Sequence, residues 1–342
     1  VPPLNVGVLG AAKIADKSTV PAMLATEGVS VAGVAARDSA RAQAFATKHD
    51  IPVFDSYQEI IDDPAVDAVY VPLPVGLHAR WALAAIAAGK DVLVEKSLAG
   101  TLADCLEVID AARAAGVVIV ENFMCERHPQ NTFIREGLAS GIVGELHHAT
   151  LSFGFPAFPP DDLRNSARLG GGALNDAGAY CLDMATYYSG RAPEAVTARL
   201  AAGPHGVDVV GSAFLEYDDE LTVSVSFGFG YDYRNEARFW GASGQLEVDR
   251  CFSIPPDRPP AVSVTRNTVR EDIELAAADQ FRLQVEYFRD LAVAGGPAVA
   301  RELDARERHA RVMEAVRVSA RERRRVLINE VMPRASARDA SR

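Results

Sequence analysis

Metal-binding and disulfide chemistry are nearly absent from this chain. Its cysteines number four, Cys105, Cys125, Cys181 and Cys251, in 342 residues. None stand at C-x-x-C spacing and no histidines cluster around them, so no metal site is expected. Scattered thiols at this density fit a reducing compartment, and the expected location is the cytoplasm. Long apolar runs are missing as well. No stretch approaches the ~18 residues that read as a membrane span, so no membrane partner is expected. The opening Val1-Pro2-Pro3-Leu4-Asn5 has neither a charged n-region nor a long apolar h-region, and no signal peptide is expected there. Basic charge is in deficit, the formal net charge being -11. Nucleic acids and anionic membranes both need basic surface, so nucleic acid is not expected as a partner either.

What the chain does have is a change of pattern near residue 123. At 342 residues it is long for one domain, and 49% hydrophobic with 24% charged residues is ordinary globular composition. In the first part, apolar strands (5–10, 29–35, 52–54, 68–71, 92–94 and 117–120) alternate with helices (13–26, 39–49, 57–62, 76–88 and 101–115). Pro21 should break or kink the first helix, whose expected buried residues are Ile14, Val20, Met23 and Leu24. Such alternation means a doubly wound parallel α/β sheet of Rossmann type with right-handed crossovers. After a helix over 129–140, strands follow one another at 146–154, 194–202, 209–217, 221–229, 236–241 and 244–249, with one helix near 177–188. Val223, Val225 and Phe227 alternate with Thr222, Ser224 and Ser226, the signature of a half-buried antiparallel strand. Asp218-Asp219 is read as a turn. Helices over 279–294 and 303–325 close the chain. The expected division is a dinucleotide-binding domain (1–123), an α+β domain for substrate binding and oligomerisation with a large, mostly antiparallel open-faced sheet (124–330), and a tail (331–342).

The first βα turn reads Gly7-Val8-Leu9-Gly10-Ala11-Ala12-Lys13-Ile14-Ala15. It follows a strand and opens a helix, the context that a dinucleotide fingerprint requires. Gly10 makes the tight turn, Ala12 replaces the second glycine, and Ala15 takes the helix-packing place. The helix start, with Ala11, Lys13 and Ile14, supplies N–H groups for a pyrophosphate. At the end of the second strand, where NAD enzymes place an acid, stand Ala35-Ala36-Arg37-Asp38. No acid precedes Arg37, whose guanidinium can pair with a 2′-phosphate, so NADP(H) is favoured over NAD(H); the alternative is a solvated Arg37 with Asp38 on the ribose. Pro72-Leu73-Pro74 form a rigid loop that could wall a nicotinamide, with His78 just beyond it.

In Asp91-Val92-Leu93-Val94-Glu95-Lys96-Ser97 a buried strand ends in a carboxylate and an ammonium. Ligands in open parallel sheets sit outside the carboxyl ends of the strands, so Lys96 should face a ligand. In the second part, Arg168-Leu169-Gly170-Gly171-Gly172-Ala173-Leu174-Asn175-Asp176-Ala177-Gly178-Ala179-Tyr180 allows close backbone approach to a ligand. Asp176 can cap the helix near Gly178. Asp176 and Tyr180, spaced i, i+4, can share one helix face, and Asp183 lies one turn on.

These stretches resemble the glucose–fructose oxidoreductase / inositol dehydrogenase (Gfo/Idh/MocA) family over roughly residues 4–330. The resemblance rests on Gly7 to Ala15, on Pro74 and His78, on Ala88-Gly89-Lys90-Asp91-Val92-Leu93-Val94-Glu95-Lys96, and on Gly170 to Tyr180. It implies a Rossmann domain followed by an α/β domain with an open sheet, and a homodimer or homotetramer. It also implies that Lys96 touches both nicotinamide and substrate, with Glu95 beside it. Ser97 departs from the proline usual in the family, and Tyr180 from a histidine. Glu121-Asn122-Phe123-Met124, His128-Pro129-Gln130 and Tyr180 are similar to those of bacterial nucleotide-sugar 3-ketoreductases, although Cys125-Glu126-Arg127 differ from that subgroup's Phe-x-His.

The activity so implied is NADPH-dependent reduction of a keto group on a sugar, a nucleotide-linked (dTDP) 3-keto-deoxyhexose in the leading reading. Lys96 would stabilise the carbonyl oxygen's developing charge and Tyr180 would donate the proton. An ammonium neighbour lowers a phenol from its free value near ~10. Asp176 would orient substrate or lysine, and Asn122, Arg164 and Arg168 would bind substrate. Phe153, Phe155, Phe158, Tyr231 and Tyr233 could stack on a base or sugar, although at least half of the phenylalanines are expected in the sheet core. The alternatives are a dehydrogenase of a cyclitol, free sugar or cyclic diol, and a catalytically inactive NADP-binding regulator.

Overall fold

Apolar residues of the first strands bury on both faces, which is what a parallel sheet covered by helices on each side demands. The computed structural model describes residues 2–218 and 220–332. In chain order these open with β1 (Leu4–Leu9), a π-helical turn (Ala15–Thr19), α1 (Val20–Ala25), β2 (Val29–Ala35), α2 (Ser39–His49), α3 (Tyr57–Asp62) and β3 (Ala68–Val71). They continue with α4 (Val75–Ala87), β4 (Asp91–Val94), α5 (Leu102–Ala115) and β5 (Ile119–Glu121). The strands form a five-stranded sheet in the order β2-β1-β3-β4-β5, and every pairing is parallel. The strand order reverses between β1 and β3, the crevice where doubly wound folds bind nucleotides.

Local chemistry sets the helix ends. Asp38, Ser56 and Thr101 each accept a hydrogen bond from an amide three residues on, satisfying an orphan N–H of α2, α3 and α5. Pro21 does not end the helix but stands where it changes type, the π-turn giving way to α1 just before it. The π-turn just before α1 accommodates the proline, which has no N–H to return to the ladder. Of the residues expected to be buried there, Val20 and Met23 are, Ile14 is half-buried, and Leu24 is exposed. The expected strand at 52–54 reduces to one bridge between Val34 and Val53.

The chain continues with α6 (Pro129–Ala139), β6 (Leu146–Phe155), a second π-turn (Leu174–Gly178), α7 (Ala179–Ser189), β7 (Ala195–Ala202), β8 (Asp208–Glu216), β9 (Thr222–Phe229), β10 (Arg234–Gly241) and β11 (Gly244–Asp249). Then come β12 (Ala261–Arg266), β13 (Val269–Ile273), α8 (Gln280–Ala294), α9 (Pro297–Glu322) and β14 (Val326–Leu327). The second sheet has nine strands in the order β13-β12-β11-β10-β6-β9-β8-β7-β14. It is antiparallel except where β6 and β9 run parallel. Helix α7 covers β6 and β9 on one face. Val223, Val225 and Phe227 point inward as the alternation requires, while Phe214 and Trp240 are exposed. Three strands escape sequence patterning. β12 lies just after a proline-rich stretch, β13 is a charged and exposed edge, and β14 spans two residues. The turn expected at Asp218-Asp219 lies partly outside the described residues, as does the expected tail from residue 333; Val331, placed in that tail, is buried.

The chain folds as two compact units, and their division corrects the expected one. Among the described residues, the first unit takes the chain up to Met124 together with Phe281–Glu307; the second takes Cys125–Gln280 and residues 308–332. The physical reason is α8. Its Val285, Phe288 and Leu291 bury in one apolar cluster with Val6, Val8, Val34, Tyr70 and Leu93 of the parallel sheet. A helix over 279–294 reads from sequence as part of the second domain because patterning shows which face is apolar, not what covers it. Replacing Phe288, 1% exposed, by alanine should cost about 3–5 kcal/mol of stability. Urea unfolding checks this, and an unchanged midpoint would detach α8 from that core.

Candidate active site

At the carboxyl end of β1, Gly10 adopts φ +127°, and a Cβ there would lie 3.0 Å from Leu73 Cδ2. Only glycine serves at this place. Ala12 N donates to Gly10 O at 3.0 Å. Ala11 is buried, Ala12 and Ile14 half-buried, and Lys13 exposed at the start of the helix. A close-packed glycine running into a helix start fits a dinucleotide's pyrophosphate. At the end of β2, Ala36 is half-buried and Arg37 exposed, while the Asp38 carboxylate is taken up by Arg41 N at 3.1 Å. Tyr57 joins these two places, a residue that no sequence spacing singles out. Its hydroxyl would lie 3.7 Å from a Cβ on Gly10. It also bonds the Arg37 backbone, near the Arg37 and Arg41 guanidiniums, and burial raises its pKa.

Pro72 is buried and Pro74 forms the N-cap of α4, leaving Leu73 facing Gly10. Behind this loop His78 is 0% exposed, so it acts through the backbone rather than by touching a ligand. Its Nδ1 lies 2.7 Å from Ser97 O and its Nε2 2.5 Å from Leu73 O. Burial holds the imidazole below its ordinary pKa, a trend the two carbonyls oppose and the Lys96 charge reinforces. The ring thus packs between the loop after β3 and the loop after β4, the single N–H of its neutral form donating to one of the two carbonyls.

That second loop carries Lys96. Within Val92–Ala99 every residue is buried except Lys96. The Lys96–Ser97 peptide is cis, at the position where the sequence departs from the expected proline. Glu95 Oε1 accepts from the Tyr70 hydroxyl at 2.6 Å and from Asn122 Nδ2 at 2.7 Å, and the Tyr70 and Thr19 hydroxyls lie 3.0 Å apart. Burial raises the Glu95 pKa, and the bonds from Tyr70 and Asn122 and the Lys96 charge offset only part of that. On the other side of the turn, Leu98 N donates to Glu121 Oε1 at 2.7 Å. Asn122, expected to bind substrate, is 1% exposed and holds Glu95 instead. The role of Glu121 was hidden in the sequence, where it reads only as part of a motif.

In the second unit the structure joins two predicted residues. Arg164 Nε lies 2.6 Å from Asp176 Oδ2. The same guanidinium meets Asp162 at 3.2 Å and stands 4.4 Å over the Phe158 ring. Burial would lower the Arg164 pKa, but the Asp176 and Asp162 carboxylates outweigh it and raise it. Asp176 is not a cap, because it lies inside the π-turn preceding α7. The N–H groups at that start turn instead to Asp208 of β8, which accepts from Leu174 N at 2.6 Å. Two of the expected ligand-facing glycines are spent on internal packing. A Cβ on Gly171 would strike the Arg164 carbonyl, and one on Gly172 (φ +117°) the Asp208 carboxylate.

Tyr180 is 8% exposed, with its ring 5.6 Å from Phe153 and 6.3 Å from Phe252. Phe153 continues to Phe155 (5.0 Å), which meets Phe158 (5.5 Å) and stacks on Phe229 (5.6 Å). Phe153 and Phe229 are core, whereas Phe155 and Phe158 are half-buried and lead to Arg164. Arg168 is exposed. Tyr231 and Tyr233 are each 43% exposed; Tyr233 lies under the Arg250 guanidinium at 5.1 Å. Asp183 is buried, 3.9 Å from His309 Nδ1. Among the described residues no cluster suits a metal ion, and no helix is long and apolar enough to cross a membrane.

Known proteins share this arrangement. Residues 4–123 match the oxidoreductase family with NAD-binding Rossmann fold, and residues 132–247 match the GFO/IDH/MocA C-terminal domain. The chain is 36% identical over 307 residues to a dTDP-3,4-didehydro-2,6-dideoxy-alpha-D-glucose 3-reductase of Saccharopolyspora spinosa, covering 87% of this chain and 91% of the relative. It is 35% identical over 321 residues to an enzyme of the same name from Actinomadura kijaniata, covering 94% and 96%. A crystal structure of a 3-ketoreductase from Actinomadura kijaniata, with NADP and TDP-benzene, superposes with a TM-score of 0.89 at 34% identity, covering 93% of this chain and 98% of that one. Solved structures of that enzyme include a tyrosine-to-phenylalanine variant and variants with one lysine replaced by alanine or glutamate. The two replaced positions are as far apart along that chain as Lys96 and Tyr180 are here. Matched in both of its halves and over most of its length, the chain belongs to the GFO/IDH/MocA oxidoreductase family.

Proposed function

We propose that this oxidoreductase uses NADPH to reduce the keto group of a nucleotide-linked 3-keto-deoxyhexose, thymidine-diphosphate-linked in the form we favour. The observation that carries the reading is Lys96, the one residue not buried in a buried run, at the carboxyl end of β4. The names of the relatives and the spacing of Lys96 and Tyr180 support the sugar and the residue roles. A bound nicotinamide supplies the hydride.

The remaining work falls to the chain. Gly10 and the helix after it hold the pyrophosphate, and Arg37 holds the 2′-phosphate, with the Asp38 carboxylate turned to the N-cap of α2. Lys96 meets the negative charge that develops on the carbonyl oxygen, and it does so preorganised, since its neighbours on both sides are pinned. Tyr180 donates the proton. Asp176, held by Arg164, orients substrate or lysine. Phe155 and Phe158 offer half-buried faces to a base, and Arg168 offers an exposed cation to a diphosphate. Exposed Phe214 and Trp240 on the open sheet face support a homodimer or homotetramer, and four buried free thiols fit the cytoplasm.

Replacing Arg37 by alanine should weaken NADPH by about 1.5–3 kcal/mol and leave NADH nearly unchanged. Titration of both cofactors decides it, equal losses removing Arg37 from the 2′-phosphate. Lys96→Ala should lose most turnover while NADPH still binds, and Tyr180→Phe should fall by roughly 10²–10⁴, the worth of a general acid. Full activity in Lys96→Ala would refute the site. The substrate is tested by kcat/KM for a thymidine-diphosphate-linked 3-ketohexose against free inositol and glucose. A free polyol ahead by about tenfold, a gap of about 1.4 kcal/mol in transition-state binding, would replace the reductase with a dehydrogenase.

A further inference from the structure

Glu121 and Arg306 are buried, charged and unused by the chemistry above. Glu121 closes β5 and takes the Leu98 N–H on Oε1 at 2.7 Å. Its other oxygen lies 3.9 Å from Arg306 Nη1, the two side chains being 1% and 4% exposed. Arg306 reaches there from α9, with its Nε 3.2 Å from Glu302 Oε1 and its guanidinium 5.3 Å over the Phe123 ring. Glu302 in turn accepts from the Tyr287 hydroxyl at 2.7 Å. Two carboxylates therefore share a guanidinium out of water, and one of them holds the Leu98 amide, two positions from Lys96 in the chain.

We propose that Arg306 is a positioning residue for Lys96, acting through Glu121 on the Leu98 amide. The inference rests on the reading of Lys96 given above. A buried ion pair is a poor source of stability, because desolvation consumes most of the attraction. What it does supply is geometry. A carboxylate kept ionised beside Arg306 is an acceptor-only group, held to one orientation, and it binds an N–H more strongly than a neutral oxygen would. Tyr70 and Asn122 act on Glu95 and His78 on Ser97 O, so none of these three takes the Leu98 amide. Without Arg306 the Glu121 carboxylate must take a proton or turn toward water, and in either event its hold on Leu98 weakens. The planar guanidinium serves Glu121, Glu302 and the Phe123 face together, which a lysine could do only in part.

The test measures Arg306→Met, Arg306→Lys and the double variant Glu121→Gln/Arg306→Met. The glutamine keeps an acceptor for Leu98 but needs no cation. Arg306→Met should lower kcat by up to about a hundredfold, the scale of an ångström-sized misplacement, with KM and NADPH binding held. Arg306→Lys should recover part of kcat and the double variant most of it. Hydrogen exchange should show the Leu98 amide losing protection in Arg306→Met while the β4 amides keep theirs, and regaining it in the double variant. Added to Lys96→Ala, Arg306→Met should cost no further turnover, since both act through one group. If Arg306→Met does not fold, the lysine and double variants carry the test. Normal kcat in folded Arg306→Met, or in its absence a double variant no better than Arg306→Lys, overturns the proposal so long as Lys96→Ala is inactive. An active Lys96→Ala overturns the reading beneath it instead.

Discussion

A lysine can act on a carbonyl only if its ammonium stays where the charge develops, and four carbons of flexible side chain make that hard. In this protein the difficulty is met at the backbone. The Glu95–Leu98 turn is held by a carboxylate bonded to Tyr70 and Asn122, by a carbonyl bonded to His78, and by an amide bonded to Glu121. Most of these groups lie out of water, where an unmet donor or acceptor is costly and a met one is correspondingly specific. The parallel sheet places its partners at neighbouring strand ends, Tyr70 in β3 and Glu121 and Asn122 at the close of β5, so the clamp follows from the strand order.

The second unit solves a different problem with similar means. Its π-turn brings Asp176 to Arg164 while Asp208, across from it in β8, takes over the cap. Asp176 is thereby free of helix capping but not free in orientation. Glycines at 171 and 172 make room for this arrangement, so their smallness serves the protein's own backbone and carboxylates. The aromatic series from Tyr180 through Phe153 and Phe155 to Phe158 grades from core to half-exposed, giving a rigid apolar wall that ends at a cation.

Much of this was legible in the residues themselves. Strand–helix alternation up to residue 123 and the alternation of Val223, Val225 and Phe227 are local patterns with periods of 3.6 or 2, and the folded chain keeps them. The place of Lys96 was legible too, because a charge ending an apolar strand marks the strand's carboxyl end. Leu24 was misread because helical spacing shows which residues share a face, not how far a neighbouring element covers it. Capping is one of the two readings the spacing allows for Asp176, and the approach of Asp208 to the Leu174 amide excludes it.

Apart from β12, β13 and β14, which lay outside its patterns, the sequence by itself determined most of the element types, the parallel first sheet and the mostly antiparallel second one, and the strand end where a cation stands. These depend on interactions between residues a few positions apart, whose free energies add along the chain. Only the tertiary structure decided that α8 packs into the first unit, that His78 and Asn122 serve the Lys96 turn from inside the core, and that Arg306 stands behind Glu121. Those pairings join residues far apart in the chain, and nothing local distinguishes a buried histidine, asparagine or arginine with a partner from the same residue on the surface. The partner, not the pattern, is what makes burial of a polar group affordable.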